Sequence, residues 1–177
     1  MGGLSLLLIL ALMLALPAAG ADETIWLGPA FQMDAAQLLE EARQATTGET
    51  ASVAVLVAES SHDFDTRGRR TYRHRLVYRI LSEQALDGWS KVESNWTPWR
   101  QDRPSLRARV ITPEGQEHWL DPETIAEGPA GSGAEDIFDD RRILEAPLPG
   151  LSVGAVVEEE VTVRETTAYY EPGSVTT

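Results

Sequence analysis

Four carboxylates between positions 135 and 140 form an acidic stretch that could support acid–base chemistry. They are Glu135, Asp136, Asp139 and Asp140, and two arginines follow them directly at positions 141 and 142. Neighbouring carboxylates can act as a general acid and a general base, or they can bind a cation. Ion pairing within the loop is the favoured interpretation, because the arginines are adjacent and no nucleophilic motif accompanies the carboxylates.

The three histidines do not form a metal-binding pattern. His62, His74 and His118 are not at helical ligand spacing, and no HExxH motif occurs. A segment beginning at Asp63 resembles the start of a calcium loop, but its fifth position is Arg67 and its twelfth is His74, where a glutamate is required. His74 lies on the core-facing side of a predicted strand, which favours a half-buried structural role. We therefore predict no catalytic, cofactor-binding or metal-binding residues.

A tryptophan-rich segment is the best candidate for ligand binding. Trp96 and Trp99 flank a Thr-Pro pair and precede Arg100 directly. Aromatic rings beside a guanidinium can line a groove for a sugar or a peptide. The same rings can fill the core of a β-sandwich, and the sequence leaves both interpretations open. Trp96, Trp99 and Arg100 are the candidate ligand-binding residues.

Composition and charge exclude several functional classes. The 177-residue chain has no cysteine, which rules out disulfides, thiolate metal sites and a cysteine nucleophile. Its formal net charge of −13 argues against nucleic acid as a partner. Residues 67–109 nevertheless hold eleven of the fifteen basic residues and only four acidic ones. We expect this basic segment to pair across strands with an acidic row that includes Glu158 and Glu160, with an anion-binding face or simple solvation as alternatives.

The first 21 residues have the features of a signal peptide. An apolar run at positions 4–16 is shorter than the ~20 residues that a membrane-spanning helix needs, and Ala19-Gly20-Ala21 supplies a small-x-small cleavage pattern. We predict export to the periplasm or the cell exterior, with no membrane span after cleavage. A lipid anchor is not expected, because no cysteine follows the cleavage site.

Hydrophobic periodicity predicts one short helix followed by many strands. Asp34 can cap the helix, whose apolar residues recur at helical spacing up to Ala45. Beyond position 51 the period changes to two, and strands at 51–59 and 70–81 flank a polar turn at 60–68 as a hairpin. Further extended segments are predicted near 88–98, 106–111, 118–120, 144–148 and 153–164, with a flexible loop at 128–133. The pattern predicts a mainly β fold, an antiparallel β-sandwich-like domain at 51–177 behind a helical N-terminal segment at 22–50.

Several segments together resemble a bacterial domain of unknown function that precedes transglutaminase-like domains in exported proteins. The resemblance rests on YRHRLVYRIL at 72–81, RARVITPEG at 107–115 and LPGLSVGAVVE at 148–158, in the order of that family. It implies a β-sandwich-like fold, an extracytoplasmic location and a downstream partner domain with a cysteine, histidine and aspartate catalytic set. None of that set maps onto this chain. The resemblance also predicts that the domain is truncated at its C-terminal end.

These observations predict a non-catalytic accessory or interaction domain of an exported transglutaminase-like protein. The alternative is a stand-alone β-sandwich of the cell envelope that binds a glycan or a peptide through Trp99 and Arg100. An independent enzyme using the carboxylates at 135–140 is the least favoured hypothesis.

Overall fold

The computed structural model describes residues 28–130 and 140–169. The predicted signal peptide and three of the four candidate carboxylates, Glu135, Asp136 and Asp139, lie outside these ranges. No helix within the described ranges is long and apolar enough to cross a membrane.

Two antiparallel sheets, two short α-helices and one 3-10 helix at Pro122–Thr124 make up the described chain. The five-stranded sheet has the order β1-β2-β8-β4-β5 and the three-stranded sheet the order β3-β7-β6. The elements are α1 Ala35–Gln44, β1 Val53–Phe64, β2 Arg70–Ile80, α2 Glu83–Gly88, β3 Lys91–Trp96, β4 Ser105–Ile111, β5 Glu117–Trp119, β6 Ala126–Pro129, β7 Arg142–Pro147 and β8 Val156–Arg164. The predicted fold class, a mainly β antiparallel sandwich-like domain with a short N-terminal helix, is confirmed.

The β1–β2 hairpin is longer than the sequence indicates. The two strands pair from Val53 opposite Ile80 to Phe64 opposite Arg70, so residues 60–64, of which all but Phe64 are polar, belong to β1 and not to the predicted turn. Polar side chains occur on both faces of this part of β1 because β1 is an edge strand and much of it faces solvent. The turn itself closes through Asp65, whose carboxylate accepts hydrogen bonds from the Arg67 and Arg69 backbone N–H groups at 2.9 and 3.0 Å. Gly68 adopts the positive φ of 75° that the reversal requires.

The five-stranded sheet is buried on both faces at its centre. Its inner face meets the three-stranded sheet, where Tyr78, Val157 and Leu144 are fully buried. Its outer face carries α1, whose Leu38 is buried in one cluster with Val77 and Val156 of the sheet. Burial of apolar side chains on both sides explains why the hydrophobic pattern is densest along the central strands.

Two short elements were not predicted. Residues 83–88 form the six-residue helix α2, which begins after Ser82 and buries only Ala85. Residues 126–129 form strand β6 and pair with β7, although a flexible loop was predicted from Gly128. Glycine and proline disfavour strands in general, but β6 is an edge strand, where a proline is tolerated because one side of the strand needs no partner.

A buried ion triad joins three neighbouring strands on the outer face. Glu158 of β8 is fully buried, and its Oε1 accepts hydrogen bonds from Nη2 and Nε of Arg75 at 2.7 and 3.1 Å. Its Oε2 accepts a hydrogen bond from Nε of Arg109 at 3.0 Å and lies 2.9 Å from Nη2. Glu160 pairs with Arg73 and Arg107 at 3.7 and 3.5 Å farther along the same face. The predicted pairing of the basic segment with an acidic row on the last strand is confirmed.

The segment before α1 covers the triad and supplies further hydrogen bonds to it. The Phe31 backbone N–H donates to Glu158 at 2.8 Å, while Arg75 donates to the Gly28 carbonyl at 2.7 Å and Arg109 to the Met33 carbonyl at 2.6 Å. Phe31 adopts a positive φ of 66°, which is uncommon outside glycine. Residues 28–33 therefore satisfy charged groups that would otherwise be buried with unfilled hydrogen-bonding capacity.

Replacing Glu158 should destabilise the domain far more than the same change two residues away. Glu158→Gln removes the buried carboxylate that Arg75 and Arg109 share, although Arg109 keeps Glu117 at 3.1 Å, and should lower the free energy of unfolding by ~3–5 kcal/mol. Glu160→Gln, which removes a carboxylate paired with two half-exposed arginines, should lower it by no more than ~1 kcal/mol. Urea unfolding followed by tryptophan fluorescence measures both. Equal losses for the two variants would show that burial does not decide the strength of these pairs.

Candidate functional site

The structure separates the three predicted ligand-binding residues. Trp96 ends β3 and packs, partly buried, against the core. Trp99 lies in the β3–β4 connection and is 63% exposed. The Arg100 side chain is only 14% exposed, since it turns back towards the end of β8. Their assignment as ligand residues stays a prediction. Arg100 lines the cavity described below, and Trp99 is exposed to solvent.

The β3–β4 connection fixes Arg100 against the end of β8. The Arg100 and Gln101 backbone N–H groups both donate to the Thr97 carbonyl, at 3.1 and 3.0 Å. The Gln101 side-chain oxygen accepts from the Thr97 N–H at 2.7 Å, and the Thr166 N–H donates to the Arg100 carbonyl at 2.8 Å. This backbone framework holds Arg100 in place without any contribution from its charge.

Arg100 lines a cavity of about 310 Å³ at this end of the sandwich, which we term the terminal cleft. Its lining residues are Phe64, Gly68, Arg70, Arg100, Glu165 and Tyr169. The Glu165 carboxylate accepts a hydrogen bond from Arg100 Nη2 at 3.2 Å and from the Arg70 backbone N–H at 3.0 Å. The Arg70 guanidinium lies 3.5 Å from the same carboxylate. Two cations in the cleft therefore share one anion.

Large aromatic side chains surround the terminal cleft. Phe64 is 67% exposed at the end of β1, and Tyr169 is 63% exposed beyond β8. The Arg100 guanidinium lies 4.6 Å from the centre of the Tyr169 ring, within the range of a cation–π contact. Phe64 and Tyr169 form what we term the aromatic rim. Sequence reasoning found Trp99 but missed Phe64 and Tyr169, because single exposed aromatics carry no periodic signal.

Arg70 and Glu165 were also missed, for a topological reason. They are 95 positions apart, and they meet only because β2 and β8 are neighbours in the sheet. The sequence predicts both strands but gives no direct signal of their adjacency.

Glu159 is an isolated carboxyl on the inner face of the five-stranded sheet. It lies opposite Leu76 of β2 and Ala108 of β4 and is half-buried. Within the described parts of the chain, no side chain or backbone group is hydrogen-bonded to it. Burial raises the pKa of Glu159 to about 7, and the nearby Glu93 carboxylate adds to the shift.

Ser60 and His74 form the only described contact that resembles a nucleophile–base pair. The Ser60 hydroxyl lies 3.0 Å from His74 Nδ1, and the Tyr72 hydroxyl lies 3.4 Å from the same serine oxygen. Nucleophilic catalysis also needs a group that orients the base and donors for an oxyanion. Within residues 28–130 and 140–169, no carboxylate is bonded to His74 and no group of three or more metal-binding side chains occurs.

A comparison with protein families finds one family that matches most of the described chain. Residues 66–176 match the family described as DUF3857, a domain of unknown function with a solved structure. This chain belongs to the DUF3857 family. No curated protein matches the sequence. The DUF3857 match includes Arg70, Arg100 and Glu165 of the terminal cleft, while Phe64 and the segment that covers the ion triad precede it.

One solved structure shares the DUF3857 chain's fold. It is a protein from Parabacteroides distasonis described as a "putative protease", with a TM-score of 0.61 and 12% sequence identity. The match covers 67% of this chain and 24% of that chain. At this identity the likeness shows the fold alone, and it places the fold within about a quarter of a longer protein.

Protonation of Glu159 should stabilise the domain. Its folded-state pKa of about 7 lies above the ordinary value of 4.5, so its contribution to stability is fully present below about pH 4.5 and is lost as the pH rises to about 7. Glu159→Gln should therefore raise the free energy of unfolding at pH 8 by ~2–3 kcal/mol, allowing for partial exposure. It should also remove the fall in stability between pH 4.5 and 7.

Urea unfolding across this pH range, with carboxyl-carbon NMR of Glu159, measures both effects. A variant with the same pH profile as the wild type, or a carboxyl that titrates near 4.5, would rule out this environment for Glu159.

Proposed function

We propose that this DUF3857 chain is a non-catalytic interaction domain of a larger exported protein. The observation that carries the proposal is the aromatic rim, in which two large rings, each more than 60% exposed, line a cleft that also holds two arginines. Aromatic residues and arginine are the residues that contribute most to binding at protein interfaces. Exposed aromatic groups of this size are otherwise a liability for solubility.

The partner in this proposal is a transglutaminase-like catalytic domain of the same protein. The resemblance of segments 72–81, 107–115 and 148–158 to domains that precede such catalytic domains supports it. The neighbour from Parabacteroides distasonis, in which the matched fold makes up 24% of the chain, is consistent with a multidomain context. The apolar run at 4–16 and the Ala19-Gly20-Ala21 pattern support export.

A stand-alone binding protein of the envelope is the second candidate. The terminal cleft, with its volume of about 310 Å³ and its mixed aromatic and cationic lining, favours it. A cavity of this size lies at the lower end of the range for small-molecule sites. The two candidates differ in whether the cleft faces another domain or a free ligand.

The mass of the native protein separates these candidates. An antibody raised to residues 51–170 should detect a species far heavier than the 19.4 kDa of this chain in an extracytoplasmic fraction of the source cells. A species at or slightly below 19.4 kDa would contradict the multidomain proposal and favour the stand-alone protein.

The purified chain should also lack catalytic activity. Residues 22–177 should neither hydrolyse peptides nor transfer glutamine amides above the background rate, because no described group supplies an oriented nucleophile. Assays with a fluorogenic peptide library and an amine-incorporation substrate test this. Activity that Ser60→Ala or His74→Gln abolishes would overturn the non-catalytic proposal.

A further inference from the structure

The terminal cleft carries more positive than negative charge. Arg70 and Arg100 both contact the Glu165 carboxylate, which is 4% exposed and is the only acidic side chain lining the cleft among the described residues. Among the described residues, one guanidinium charge in the cleft therefore has no matching carboxylate. The neighbouring cavity has the opposite balance, because Asp63, Asp65, Asp102 and Glu165 outnumber its two arginines. An anion would thus be directed to the terminal cleft.

Within the described part of the chain, one donor of Arg100 is also unfilled, and Arg70 is partly exposed. Arg100 Nη1 is buried and has no hydrogen-bond partner among the described residues. The Arg70 side chain is 32% exposed, which leaves part of its guanidinium open to the cavity. A planar guanidinium binds a carboxylate well because two parallel N–H groups can meet its two oxygens. Arg70 provides the accessible donors, and Arg100 provides a buried donor that has no acceptor among the described residues.

The apolar walls of the cleft favour an anion that carries an apolar group. Phe64 and Tyr169 line the cavity, and both rings are largely exposed. An inorganic anion would leave these surfaces in water, whereas a carboxylate carried beside an apolar group would cover them.

We infer that the terminal cleft binds a carboxylate side chain flanked by apolar residues on the partner domain. This inference rests on the proposed function and specifies the chemistry of its interface. The partner's carboxylate contacts Arg70 and competes with Glu165 for Arg100, while its apolar neighbours pack on Phe64 and Tyr169.

Blocked tripeptides test the inference on the isolated chain, residues 22–177. The probe is acetyl-phenylalanyl-glutamyl-phenylalanine amide, and its control has glutamine in place of glutamate. Shifts of the arginine Nε–H resonances in two-dimensional NMR report binding. The glutamate peptide should bind at least ~10-fold more tightly than the glutamine peptide and should shift Arg70 and Arg100, since charge-assisted bonds are the stronger ones.

Three variants should change the affinity for the glutamate peptide in different ways. Glu165→Gln removes the internal competitor and should tighten binding of the glutamate peptide by ~5-fold or more, whereas Arg100→Gln should weaken it by a similar factor. Arg103→Gln is the matched control, because Arg103 is a half-exposed arginine of the same connection that pairs with Glu127 at 3.2 Å and does not line the cleft. It should leave the affinity unchanged.

Equal affinity for the two peptides, or a Glu165→Gln variant that binds no more tightly than the wild type, would overturn the inference. Because Glu165→Gln is expected to gain affinity, a variant that simply fails to fold cannot imitate the expected result. The mass of the native protein tests the multidomain proposal separately. Peptide binding by a chain found alone at 19.4 kDa would therefore support the carboxylate site and refute the interdomain role.

Discussion

A fully buried carboxylate determines how this domain is assembled. Glu158 lies on β8, the middle strand of the five-stranded sheet, and binds Arg75 and Arg109 on the two flanking strands. Removing three charges from water is costly, and only nearly complete hydrogen bonding offsets that cost. The cover at residues 28–33 supplies much of it through Phe31 N–H and two carbonyl groups. The triad therefore couples the position of the N-terminal segment to the register of three strands.

Three consecutive glutamates on β8 lie in three different environments. Glu158 faces the covered outer surface as a paired, buried anion, and Glu160 faces the open part of the same surface beside exposed arginines. Glu159 points to the opposite face, where burial and Glu93 favour its neutral form. Alternation of side chains along the strand separates Glu159 from its neighbours, and the extent of the N-terminal cover separates Glu158 from Glu160.

The sequence predicts the parts of this fold that depend on local pattern. Alternation predicted the β1–β2 hairpin and the last strand, and the Arg and Glu rows predicted their pairing. Whether Glu158 or Glu160 is buried could not be predicted, because it depends on where residues 28–33 lie in three dimensions. In the candidate site, Trp99 and Arg100 were predicted from their adjacency. Arg70 and Glu165, which line the cleft with Arg100, were not predicted, because only strand order brings them together.

In the proposed function, the aromatic rim and the terminal cleft form the contact surface of an interaction domain. Backbone hydrogen exchange measures this directly, in the native full-length protein and in isolated residues 22–177. Amides at 64–70, 97–101 and 165–169 should exchange more slowly in the full-length protein, while the exposed edge at 55–60 serves as an internal reference and should not change. Identical exchange at the rim in both proteins would contradict the claim.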